Sequence, residues 1–337
     1  MGINQHITPI TTQRDGTLFI GGCDITDLAK KYGTPLYVLD EATLRGICKE
    51  YKEAFKNYNN IHMTYASKAM CNLAVARILS EEGFGFDTVS AGEIYTVNKA
   101  GVDMSSVTFN GNNKSTEEIK LAINLNVGRF SVDNFYEVTQ LNKIAIQSNK
   151  KVDILLRITP GIECHTHEYI QTGQIDSKFG FDLSQLDKVV ELIINSCHNL
   201  TLKGLHAHIG SQIFENQSYK DEIEILVKEL ARINNKFNLS LNELNIGGGL
   251  GVKYTENDTP PSVEEFGECV IDSLKNSCKK YGVSLPIVYI EPGRSIISTA
   301  GVTLYTIGSS KQIPNCRKYI AVDGGMADNA RPITYNS

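Results

Sequence analysis

The sequence predicts an α/β fold: a (β/α)8 TIM barrel with a second, all-β domain that is incomplete in this chain. Three observations lead there. Apolar runs of strand length recur eight times between positions 61 and 290, and helix-length segments of 3.6-residue periodicity lie between them. Nearly every run ends, on its C-terminal side, at a residue able to do chemistry, which is where barrels of this class gather their active sites. The size and order of these elements suit a closed barrel better than an open doubly wound sheet, and no motif repeats at a fixed period.

The N-terminal segment, 1–35, is assigned to the β domain, with a strand at 17–20 and a helix-like stretch at 25–31; a further strand follows at 36–39. The barrel is expected over 36–294. Asp40 caps a helix whose apolar residues Leu44, Ile47, Tyr51 and Phe55 fall on one face. Barrel strands are then expected at 61–66, 84–89, 107–110, 129–132, 152–158, 202–209, 243–246 and 287–290. Helices are expected at 91–100, 116–124, 134–148, 183–196, 218–236 and 262–281. From Arg294 onward the pattern turns to strands, 301–307 and 319–322, without helices, so 295–337 reads as the start of the C-terminal β domain.

Composition narrows the function classes. A chain of 337 residues that is 41% hydrophobic can bury a barrel-sized core. Its net charge of -5 is mild and its Lys and Arg are spread along the chain, so it lacks the electrostatic footprint of a nucleic-acid or anionic-membrane binder. Positions 1–13 are polar, without the apolar core of a secretion signal, and the longest apolar runs are too short to span a bilayer. The eight cysteines lie far apart with no Cys-x-x-Cys pair, which points to reduced thiols in a cytoplasmic enzyme.

The C-terminal strand ends present Lys68, Asp87 with Ser90, Asn110, Asp133, Arg157, His206 with His208, Gly247-Gly248-Gly249 and Glu291. Lys68 stands where an apolar strand hands over to a helix; an amine desolvated there attacks carbonyls, and Schiff-base chemistry suits it. Taken alone, it is equally a lysine that snorkels out of a strand end. The glycine triplet after the seventh strand can curl backbone N–H groups around a phosphate, or simply form a tight turn. His206 and His208, two apart on a strand and hence on one face, fit either a metal pair or an imidazole stacked on an aromatic cofactor, besides two packed core histidines. Metal loses ground because the fifth and eighth strands end in Arg157 and Glu291; a second pair, His165 and His167, lies in a loop. Glu291-Pro292-Gly293-Arg294 places a carboxylate where it could keep a pyridine nitrogen protonated, or else pair with its neighbouring arginine. Amine, imidazole, phosphate loop and carboxylate on one rim together describe pyridoxal 5'-phosphate.

Here the chain resembles a known family, the barrel-type (fold type III) pyridoxal-phosphate-dependent amino-acid decarboxylases, and within it the diaminopimelate branch. The shared motifs are Tyr65-Ala66-Ser67-Lys68-Ala69, His206-Ala207-His208-Ile209-Gly210-Ser211-Gln212, Gly247-Gly248-Gly249-Leu250-Gly251 and Glu291-Pro292-Gly293-Arg294. More particular to the branch are His165-Thr166-His167-Glu168-Tyr169-Ile170, Ser177-Lys178-Phe179-Gly180 and Asn329-Ala330-Arg331-Pro332 with Tyr335. The resemblance implies that Lys68 holds the cofactor as a Schiff base, His208 stacks on its ring and Glu291 holds the pyridine nitrogen. Gly247, Gly248, Gly249 and Ser211, with backbone help from Pro292, Gly293 and Arg294, would serve the phosphate. Arg294, Arg331 and Tyr335 would meet a substrate with two carboxylate ends, since a bidentate arginine fixes a carboxylate's plane as well as its charge.

The implied reaction is decarboxylation of meso-diaminopimelate to L-lysine in lysine biosynthesis, by a homodimer without metal, nucleic acid or membrane. The alternatives are a relative acting on ornithine, arginine or carboxynorspermidine, and a non-catalytic homologue, which would have lost Lys68. Two departures stand out: Met70 replaces the family's usual asparagine, and the family's Cys-Glu-Ser-x-Asp segment and late tyrosine are absent. The expectation is therefore a C-terminally truncated decarboxylase that binds cofactor poorly and turns over slowly or not at all.

Overall fold

The computed structural model describes residues 11–162 and 177–330. They gather into two compact units, one of 47–296 and one built from the segments on either side. In the first, eight parallel strands form a closed barrel: Ile61–Ala66, Gly85–Thr88, Val107–Phe109, Arg129–Val132, Val152–Thr159, Leu200–His206, Glu243–Asn245 and Ile287–Ile290. The eighth strand pairs with the first, Val288 opposite Ile61, and the fourth with the fifth, Phe130 opposite Ile154, so no barrel edge stays open. The sequence prediction of a (β/α)8 barrel holds.

Periodicity located the helices because each buries one stripe against the barrel. Thr116–Asn124 buries Ile119, Ala122 and Ile123, while Phe135–Gln147 buries Val138, Leu141, Ile144 and Ala145. Their starts are set by capping: Ser115 with Glu118 and Ser262 with Glu265 form reciprocal capping boxes, and Ser90 and Asn134 accept from the N–H groups of Glu93 and Glu137. Left-handed Asn238 and Gly282 stop the two longest helices, Asn216–Phe237 and Val263–Tyr281. The fifth strand is buried on both faces apart from Asp153, as expected of a parallel strand covered by helices.

Three expectations need correction. The sixth strand ends at His206 rather than at 209, because Ala207 and Ile209, though apolar and fully buried, belong to a loop. His208 therefore lies beyond the strand, and strand alternation does not put it on a common face with His206. Helical structure does follow Arg294, as a short helix at Arg294–Ile297 and a 3-10 turn at Ser298–Ala300. The apolar stretch at 301–307 divides into separate strands, Gly301–Leu304 and Ile307–Gln312.

In the second unit, Thr11–Arg14, Thr17–Ile20 and Cys23–Asp24 form one antiparallel sheet. Leu36–Leu39 pairs with Gly301–Leu304, and Ile307–Gln312 with Lys318–Val322.

Candidate active site

The barrel brings its polar strand ends to one rim. Glu291, one residue past the eighth strand, is buried, and its Oε1 accepts from Asn245 Nδ2 at 2.6 Å and from Asn110 Nδ2 at 3.3 Å. Its Oε2 faces His206 Nε2 at 3.5 Å. Burial alone would raise its pKa, but His206, the Asn245 amide and the Lys68 charge outweigh that and hold it below the ordinary carboxylate range. Glu291 is ionised.

Asp87, at the end of the second strand, goes the other way. Its carboxyl is pushed well above the usual range by burial and by the negative charge of Glu291, against Lys68 and Asn110, whose Nδ2 lies 2.6 Å from Asp87 Oδ1. One amide thus bridges two carboxyls with opposite protonation states, because two close anions cannot both stay charged in so dry a place.

Lys68 sits on a 3-10 turn, Ser67–Ala69, just after the first strand, and is exposed rather than desolvated as expected. What distinguishes it is its company: its charge acts on Asp87, Glu93, His206, His208 and Glu291. His208 Nδ1 accepts from Gly248 N at 3.3 Å, which places the ring proton on Nε2. Burial, then the Lys68 charge, hold its pKa well below the ordinary value, so it is a neutral flat ring. His206 is a core residue, its Nδ1 2.5 Å from Ser131 Oγ, and burial lowers its pKa too.

The glycine loop is packed tightly. Gly247 and Gly249 have φ of +62° and +113°, and a Cβ on Gly248 would come within 2.0 Å of Glu291 O. Gly247 N donates to Asn245 Oδ1 at 2.9 Å, so with Gly248 N on His208 two of the loop's N–H groups have partners inside the chain. The loop after the eighth strand lies against the first: Ala66 N donates to Pro292 O at 3.1 Å, and a Cβ on Gly293 would meet Ala66 Cβ at 2.9 Å. Arg294 donates from Nε to Ser211 Oγ at 3.2 Å and from Nη1 to Tyr254 Oη at 2.7 Å. Arg331 and Tyr335, like His165 and His167, lie outside the described residues.

These residues suit pyridoxal phosphate. Asn110 Oδ1 is buried without a hydrogen-bond partner among the described residues, and its amide nitrogen lies on Glu291, so the rim holds a polar atom that the described residues leave unmet. An amine, a neutral imidazole and an ionised carboxylate stand around it. Among the described residues, no group of three or more His, Cys, Asp or Glu could hold a metal ion.

Asn245, Asn110 and Ser131 complete the site through partners that the sequence reading did not pair. Asparagine and serine at strand ends look like turn formers, and Asn110 and Glu291 are 181 positions apart, so only the closed barrel shows them to be neighbours.

The family model described as "Pyridoxal-dependent decarboxylase, pyridoxal binding domain" matches residues 43–298. The diaminopimelate decarboxylase of Synechocystis sp. is 47% identical over 99% of this chain and 73% of its own length. That of Bacillus subtilis is 45% identical over 99% of this chain and 74% of its own. The chain belongs to the diaminopimelate decarboxylases. The crystal structure of a family member from M. jannaschii superposes with a TM-score of 0.91 at 32% identity, covering 98% of this chain and 76% of that one. A Helicobacter pylori diaminopimelate decarboxylase solved in complex with L-lysine gives 0.83 at 30% identity, over 93% of this chain and 76% of that one. Membership makes the chain a pyridoxal-phosphate-dependent carboxy-lyase, so the family, activity and cofactor expected from the sequence hold.

Proposed function

We propose that the rim described above carries out the decarboxylation of meso-diaminopimelate to L-lysine, with each residue in the role its chemistry allows. Lys68 would hold the cofactor covalently through its amine. His208, neutral and flat, would lie against the ring, and the loop Gly247–Gly249 would take the phosphate with Ser211, Pro292, Gly293 and Arg294. Bound pyridoxal phosphate supplies an electron sink for the pair of electrons left behind when a carboxylate departs as carbon dioxide.

The observation that carries the reading is the ionised, triply held Glu291. A carboxylate so fixed accepts a hydrogen bond from a protonated pyridine nitrogen and keeps the proton there, where a neutral acid would not. Asn245 and Asn110 orient it, and His206, itself tied to Ser131, closes its second oxygen. Asp87, neutral beside it, adds no second anion. Arg294, with Arg331 and Tyr335, would grip the carboxylate end of the substrate that does not react. The family resemblance also supports a homodimer acting in the cytoplasm, and 295–337 as part of a C-terminal β domain. No helix among the described residues is long and apolar enough to cross a membrane.

The test is product analysis with competing substrates. The reading expects carbon dioxide and L-lysine from meso-diaminopimelate, little from ornithine or arginine, and loss of diaminopimelate use in Arg331→Ala. Preference for ornithine, or an Arg331→Ala enzyme with unchanged selectivity, would contradict it.

A further inference from the structure

Gln212 closes the shared motif after the sixth strand, yet none of the roles above uses it. The structure shows what it holds. Gln212 takes a left-handed backbone, φ +61°, and its side-chain amide pairs with the backbone of Val252: Nε2 donates to Val252 O at 2.7 Å, and Val252 N donates to Oε1 at 3.1 Å. The loop that follows the glycine triplet is thereby fastened to the loop carrying Ser211. Further along the same loop, Asp258 Oδ2 accepts from the N–H groups of Tyr254 and Thr255 at 2.9 and 2.7 Å, fixing the turn that presents Tyr254. The Tyr254 ring then meets Arg294, with the guanidinium carbon 5.8 Å from its centroid and Nη1 2.7 Å from its oxygen. Ser211, on the other side, takes the Nε hydrogen at 3.2 Å.

Two separate loops thus set two N–H directions of one guanidinium before any ligand arrives. A guanidinium is planar, so fixing two of its N–H bonds fixes its plane, and the plane decides how squarely it meets a carboxylate. An arginine held only by its flexible stem would lose rotamer freedom each time it bound an anion. We propose that Tyr254 is a specificity-positioning residue, which pre-orients Arg294 for the carboxylate that survives the reaction. The inference rests on the reading of Arg294 as the contact for that carboxylate.

The probes follow from the chemistry. L-lysine keeps the surviving carboxylate, and 1,5-diaminopentane is the same molecule without it. Titration calorimetry on cofactor-loaded enzyme should show Tyr254→Phe binding L-lysine about 3- to 10-fold more weakly, the worth of one hydrogen bond, with 1,5-diaminopentane and cofactor affinity unchanged. The KM for meso-diaminopimelate should rise by a similar factor with kcat kept, as for lost uniform binding. The side chain of Tyr254 is half exposed, so this substitution leaves folding intact.

Arg294→Gln separates the two levels. If it weakens L-lysine selectively while Tyr254→Phe binds like wild type, Arg294 keeps its role and the Tyr254 proposal is overturned. If Arg294→Gln leaves L-lysine binding unchanged, the underlying reading of Arg294 fails and the proposal with it. Equal weakening of both probes, or weakened cofactor affinity, in Tyr254→Phe would make the residue a general loop support and also overturn the proposal.

Discussion

The two mouths of the barrel are built from similar residues and do opposite things. At the N-terminal mouth Arg129 donates to both Glu243 oxygens, at 2.9 and 2.8 Å, and to Asp153 at 3.1 Å, while Lys203 also approaches Asp153 at 3.6 Å. Burial opposes the Arg129 charge, yet Glu243 and Asp153 raise its pKa, so the guanidinium keeps its charge and the cluster closes on itself. At the C-terminal mouth Glu291 is ionised, Asp87 is not, Lys68 is exposed, and Asn110 Oδ1 lacks a partner among the described residues. A cavity of about 510 Å³ opens at the first mouth, lined by His62, Tyr289 and Arg129 among others. Volume does not mark function here; unmet polar atoms and carboxyls driven apart in pKa do. Charges that satisfy one another hold strands together, and charges left unmet wait for a ligand.

Substitutions can break that division. The largest effect is expected from Lys68→Ala, which should abolish turnover while changing unfolding free energy by no more than about 0.5 kcal/mol, as for an exposed residue; assay and urea denaturation of one preparation check both halves. Arg129→Met should do the reverse, costing about 3–5 kcal/mol because Glu243 is left charged and buried, with kcat of the folded enzyme nearly unchanged. A rate loss larger than the stability loss explains would show that the two mouths are coupled. Glu291→Gln should fold and still take up cofactor on Lys68, but lose about 10²- to 10³-fold in kcat.

The smallest expected effect depends on pH. Asp87 has a folded pKa raised above its unfolded value, so its proton stabilises the fold at low pH, and that contribution is lost as pH rises through the folded value. Asp87→Asn removes the loss, so the melting temperatures of mutant and wild-type apoprotein should converge in acid and separate as pH rises, the mutant being the more stable. Separation in the opposite sense would mean that Asp87 is ionised in the folded protein.

Much of this was legible in the sequence, for a physical reason. Strands and helices that cover a barrel carry their period in their own residues, so 129–132, 287–290 and 116–124 were placed to the residue. Where the period is silent, local sequence misplaces the elements. Ala207 and Ile209 extended an apolar run past the true strand end because a buried loop is as apolar as a strand. The strands Thr11–Arg14, Cys23–Asp24 and Phe181–Asp182 were missed because each is short and largely polar. Lys68, His208 and Glu291 could be singled out from residue type and position, but their support could not. Asn245 to Glu291, Ser131 to His206 and Tyr254 to Arg294 are long-range pairings of small or common polar residues that leave no local trace.

The central claim is that the unmet rim closes around one cofactor attached at Lys68. Loading the protein with pyridoxal phosphate, reducing with borohydride and mapping the label by peptide mass spectrometry tests it directly. The account predicts an absorption band near the visible edge that vanishes on reduction, and a stable adduct on the peptide containing Lys68, absent in Lys68→Ala. An adduct on another lysine, or none at all, would contradict it.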